Sequence, residues 1–131
     1  MELRAVSTGE RPFVRGYGPG CFTIGPSRFT SALLLFPDRV ERWAPVDPEA
    51  LVAEDFRPLR PLAGSAVTLL VLGLGATNRR LPAPLLAELR GWGLAVEAVA
   101  TPAACRTWNL LLAEGRPVAA ALIPLPLPDA R

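Results

Sequence analysis

The chain has 131 residues, half of them hydrophobic, which suffices for one domain with a real core and argues against disorder over most of its length. Its net charge of +2 comes from 14 basic and 12 acidic residues; every basic residue is an arginine, and these are scattered among acids, which argues against the clustered footprint of a nucleic-acid binder. There is no histidine, so Ser-His-Asp triads, Cys-His dyads and histidine metal sites are excluded.

The two cysteines, Cys21 and Cys105, form no CxxC and cannot complete a four-cysteine zinc site. No metal and no cofactor are therefore expected. The cysteines give no sign of an oxidising compartment, and residues 1–10 lack the apolar core of a signal peptide, so a cytoplasmic location is expected. The uncharged stretch 61–78 is the one candidate membrane span. Its apolar heart, residues 66–72, is the length of a buried strand and too short for a bilayer helix.

In chain order, the first half reads as β-rich. Residues 11–17 suggest a strand, followed by a turn-rich link of Gly16, Gly18, Pro19 and Gly20. Residues 21–24 and 29–36 flank Gly25-Pro26-Ser27, a hairpin signal. Pro37-Asp38 predicts a turn and residues 40–43 a short strand. Asp47-Pro48-Glu49 predicts a helix start, with the helix running to about Phe56.

The second half changes character. Residues 66–72 form the continuous apolar run of a strand buried on both faces. A helix is predicted over 82–90, a strand over 94–100, a helix over 102–114 and a strand over 118–123. In the last helix Thr101 is expected as cap and Pro102 as first helical residue. Gly115 is expected in the left-handed conformation past its end, with Pro117 blocking continuation. The β-α-β-α-β order predicts crossover units in a sheet covered by helices. The fold class is thus α/β: one domain over 1–131, with a central mixed β-sheet, flanking helices and an additional β-hairpin portion. Its core spans about 13–124, and 125–131 is an extended proline-rich tail.

Gly73 and Gly75 follow the buried strand, where glycine permits a tight turn or close approach to a ligand. The dinucleotide fingerprint fails there. Asn78 stands where a third Gly or Ala is needed, and Ala100-Thr101 stands where an acid is needed. A different site is conceivable at neighbouring strand ends: the amides around Ala103, Ala104 and Cys105 at a helix start, with Arg106 adding charge, would suit an anion or carboxylate. The competing expectation is that Thr101 and Pro102 only cap a helix and that Arg106 pairs with Glu114 or Glu97. Cys105, beside Arg106 at a helix start, could be a nucleophile of lowered pKa or a small buried side chain; no general base is visible. Arg106 and Asn109 lie one turn apart on one helix face. No catalytic residues are assigned.

These segments resemble a known family. The pattern is Gly16-Tyr17-Gly18, Gly73-Leu74-Gly75, the run from Thr101 through Ala104, Arg106, Thr107 and Trp108 to Asn109, and then Glu114-Gly115-Arg116. It is similar to the Mth-type domain of unknown function, a family of small archaeal and bacterial proteins that also includes a mitochondrial assembly factor for respiratory complex I and an adipogenesis-associated protein. The resemblance spans roughly residues 13–124. It implies a single α/β domain without an established reaction; the Arg-, Ala-, Pro- and Leu-rich composition fits a bacterial source. The resemblance also implies a partner such as a membrane complex under assembly or an export component. Two functions follow as expectations: a non-catalytic binding or assembly module, or a small-molecule or anion-binding protein with its pocket at Gly73–Gly75 and the Thr101 helix start.

Overall fold

The computed structural model describes residues 3–5 and 11–128. Nine strands, two α-helices and one 3-10 helix follow one another among them. The strands β1 (Leu3–Ala5), β2 (Val14–Gly18), β3 (Cys21–Ile24), β4 (Ser27–Phe29), β5 (Ala32–Phe36) and β6 (Arg39–Trp43) precede the 3-10 helix Ala53–Leu59. Then come β7 (Leu69–Leu74), α1 (Ala83–Gly91), β8 (Ala95–Val99), α2 (Thr101–Ala113) and β9 (Val118–Ile123).

A six-stranded mixed sheet of order β1-β6-β5-β9-β7-β8 is the frame. β7 runs parallel to both β8 and β9, while β9-β5, β5-β6 and β6-β1 are antiparallel. The crossovers through α1 and α2 therefore lead out from β7 to the sheet edge and back past it, with the helices on opposite faces. One face carries Phe56 and Leu59 of the 3-10 helix and Leu85 and Leu89 of α1, packed on Leu34, Leu70, Leu72 and Ala121. The other carries Trp108 and Leu112 of α2 beside Phe22, Ile24 and Phe29 of a small β2-β3-β4 sheet, packed on Leu33, Leu35, Val71 and Leu122. Covered on both sides, β5 and β9 bury every residue, which is why they are written as unbroken apolar runs. The mixed sheet, the flanking helices and the hairpin portion are as the sequence predicts.

Several local expectations are corrected. The strand predicted over 11–17 is β2, which starts at Val14, and Gly16 and Gly18 lie within it; the link is the two-residue turn Pro19-Gly20, with Gly20 at φ +70°. The run 29–36 is split between two sheets at Thr30-Ser31, because Phe29 buries into one and residues 32–36 into the other. No helix starts at Asp47. Its Oδ1 accepts from the Glu49 amide at 2.9 Å and closes only a turn, and the helical segment is the later 3-10 helix, which contains Pro58. The buried strand lies further along than predicted, so Gly73 is inside β7 and not after it. The tail beyond β9 is held where Gly20 N–H donates to the Leu125 carbonyl at 2.8 Å; of the predicted tail, residues 129–131 lie outside those described.

Candidate functional site

The C-terminal ends of β7 and β9 meet the start of α2, the position where an open α/β sheet ordinarily offers a ligand crevice. Here the chain's own Thr101 occupies it. The residue is fully buried; its hydroxyl accepts from the Gly75 amide at 2.8 Å and donates to the Ile123 carbonyl at 2.5 Å. The Thr101 amide in turn donates to the Gly75 carbonyl at 2.8 Å. One side chain thus ties together the last residues of two parallel strands and the first turn of the helix between them.

Thr101 is therefore not the cap. The cap position is Ala100, which offers no side-chain hydrogen bond, and the helix begins at Thr101 itself. Asn78 braces the cap residue from outside the helix: its Oδ1 accepts from the Ala100 amide at 2.7 Å. Gly73 is required by the same packing. A Cβ there would stand 3.0 Å from Thr101 Oγ1 and 3.1 Å from both Ala104 Cβ and Leu122 Cδ2. Gly75 serves a different need, a left-handed turn at φ +86°. Gly73, Gly75, Thr101 and Ala104 are thus brought together as a buried helix–sheet contact, with Asn78 as an exposed latch over it.

The Ala104 amide bonds to the Ala100 carbonyl within the helix and its side chain is fully buried; Ala103 is half-buried. Cys105 is buried too, and burial pushes its thiol up to about 12, with the Arg106 guanidinium lowering it only in part. It is the small core side chain of the two alternatives. A thiol protonated at neutral pH is a poor nucleophile. Arg106 is exposed and has no ion-pair partner among the described residues, so it pairs neither with Glu97 nor with Glu114. Glu114 instead lies 3.5 Å from Arg116, both at the surface.

Asn109 has a structural task that its spacing from Arg106 did not reveal. Its Oδ1 accepts from the Val14 amide at 2.8 Å and its Nδ2 donates to the Val14 carbonyl at 2.9 Å, so it pairs with β2 as a neighbouring strand would. One residue earlier, Trp108 Nε1 donates to the Pro12 carbonyl at 2.9 Å. Together they fasten the small sheet to α2, while Thr107, just before them, is half-buried. The helix ends as predicted. Gly115 takes φ +72°, its amide reaches the Leu112 carbonyl, and the Arg116 amide reaches that of Leu111.

Open space lies elsewhere. A cleft of about 510 Å³ runs between β6 and the 3-10 helix, lined by Leu34, Trp43, Pro45 and Pro58 with Glu54 and Arg57 at the rim. A second, of about 500 Å³, lies between the Pro19-Gly20 turn, the segment 43–46 and the tail at 123–127. Sequence reasoning singled out neither; the signal was there in apolar residues set among prolines, Val46 after Pro45 and Leu127 after Pro126. Among the described residues no three acidic or cysteine side chains gather as a metal site, and no helix is long and apolar enough to cross a membrane.

Fold and site define a single mixed α/β domain whose sequence motif closes the strand-end crevice from within. The model of a protein family of unknown function, DUF498/DUF598, matches residues 14–123, and the chain belongs to that family. An uncharacterised protein of Rhodobacter capsulatus is 40% identical over 113 residues, covering 86% of this chain and 85% of its own length. A zebrafish (Danio rerio) protein named NADH dehydrogenase [ubiquinone] 1 alpha subcomplex assembly factor 3 is 36% identical over 113 residues. That match covers 86% of this chain and 64% of the assembly factor, so the chain spans less than two thirds of that relative. A solution structure from Bordetella pertussis, described as a Mth938-like domain, superposes with a TM-score of 0.79 at 28% identity, covering 97% of this chain and 94% of that one.

Proposed function

We propose that this chain is a non-catalytic binding module that acts in the assembly of a membrane-bound respiratory complex, in the cytoplasm of a bacterium. One observation carries the reading: the motif residues with hydrogen-bonding or nucleophilic side chains at the helix start and along its inner face are spent inside the fold. Thr101 bridges two strand ends, Asn109 and Trp108 hold the small sheet, and Cys105 is buried with its proton on. What remains for function is surface, and surfaces recognise partners. The relative named as a complex I assembly factor points in the same direction. Deleting the gene in the organism that encodes it tests the proposal. The expected result is a loss of the mature respiratory complex on native gels, with partial complexes accumulating and restored by the wild-type gene. Unchanged amounts of every respiratory complex would reject it.

A second reading rests on Arg106, which is exposed and unpaired among the described residues one turn into α2. It is an anion or small-molecule site at the Gly73–Gly75 loop and the helix start. Thermal-shift titration with phosphate and simple carboxylates separates the two readings. A rise in melting temperature for the wild type that Arg106→Ala abolishes favours the site; no response from either protein removes it.

A further inference from the structure

Large apolar side chains that stand out in water mark surfaces meant to be covered when they gather in one place. Val46 is 79% exposed and Leu127 is 74% exposed, the two most exposed large hydrophobic residues among those described. They are far apart in sequence, yet both line the second cleft. The buried Ala32 and Trp43 line it, and so does the tail segment Pro124–Leu127, held by the Gly20 amide at the Leu125 carbonyl. Leu127 is seated over Gly20 so closely that a Cβ on that glycine would meet it at 2.7 Å. The apolar rim is therefore pre-formed, and binding there need not first order a loose segment.

Among the described residues the cleft has one charged lining residue, Arg28 on the exposed face of β4, and no acidic one. Arg28 has no hydrogen-bond or ion-pair partner among the described residues. Exposed aliphatic side chains beside a guanidinium that has no partner among the described residues suit a surface that brings its own apolar side chains and a negative charge. A small ligand lying in the cleft would leave the protruding Val46 and Leu127 in water, whereas a protein surface covers both.

We infer that this cleft is the partner-docking surface of the protein, and that its occupant is a protein segment presenting aliphatic side chains next to a carboxylate that pairs with Arg28. The inference rests on the assembly-module reading and adds where the partner sits and what it presents.

Photocrosslinking in cells of the encoding organism tests it with the full chain. A photoreactive residue is placed singly at positions 46 and 127, and as comparison at Leu110 on the outer face of α2 and Glu88 on α1. The expected result is crosslinking from 46 and 127 to one partner protein, at a segment containing Asp or Glu among aliphatic residues. Arg28→Glu, checked for native folding by circular dichroism, should lower that yield about tenfold, the scale of reversing a charge opposite a desolvated carboxylate. Crosslinks from 110 or 88 alone would overturn the docking site while leaving the assembly reading intact. Crosslinks from 46 and 127 only to lipid or to a second copy of this chain would overturn it as well. A partner segment without an acid, or a yield unaffected by Arg28→Glu, would contradict the proposed recognition. No protein captured from any of the four positions would count against both proposals.

Discussion

A threonine at a helix start ordinarily turns its hydroxyl to the helix's own free amides. Thr101 turns it instead to Gly75 and Ile123, because β7 and β9 end there with a buried donor and a buried acceptor that water does not reach. Composition and spacing carry no trace of that choice, since either use calls for the same residue type. Cys105, four residues on, shows how burial outweighs a neighbouring cation. Its folded-state thiol is raised from 9.0 to about 12, desolvation being larger than the lowering by Arg106. The native state then holds the proton where the unfolded chain has lost it, so stability is whole below about pH 9 and falls as pH rises from there through about 12. Urea denaturation at pH 8 and pH 10.5 should show a steeper loss for the wild type than for Cys105→Ala. Equal losses in the two proteins would mean that the thiol is not desolvated.

Helix α2 is the element on which both halves of the fold depend. One side of it packs Ala104, Cys105, Trp108 and Leu112 into the core, and Asn109 and Trp108 hold the start of β2. Asn109→Ala removes both hydrogen bonds to Val14 and leaves that backbone to solvent, for an expected cost of about 1–2 kcal/mol. The loss should be local: amide exchange at Val14 accelerates while β7 and β9 stay protected. Uniform acceleration across both sheets would show that the small sheet does not detach on its own. The crossover half was legible in the sequence because its signals are local: an apolar run of strand length, a glycine past each helix with a proline after the second, and Pro at helix starts. The segment 47–59 was not. Asp-Pro-Glu is a start signal for a helix and a turn alike, and what decides is tertiary: Trp43 Nε1 donates to the Asp55 carbonyl at 2.7 Å, with its ring 5.3 Å from that of Phe56. The division of residues 29–36 between two sheets was marked only by the polar pair Thr30-Ser31, which a single strand with one solvated stretch would carry as well.

At the level of the whole molecule, a sheet buried on both faces leaves little room for a pocket inside it, and the motif side chains fill the place where parallel strands end. Sequence spacing put several candidate site residues near one another and carried no sign that some of them are consumed by one another. Gly73, Gly75, Thr101 and Ala104 meet as a closed contact, while Asn78 and Arg106 face solvent. The most direct measurement is equilibrium denaturation of the full chain carrying Thr101→Val beside one carrying Arg106→Ala. Valine keeps the volume and removes the hydroxyl, leaving the Gly75 amide and the Ile123 carbonyl buried without it, so the unfolding free energy should drop by about 2–4 kcal/mol. Arg106→Ala should stay within about 0.5 kcal/mol of wild type, as for an exposed side chain without partners. A neutral Thr101→Val together with a strongly destabilised Arg106→Ala would contradict the assignment of the motif to the scaffold.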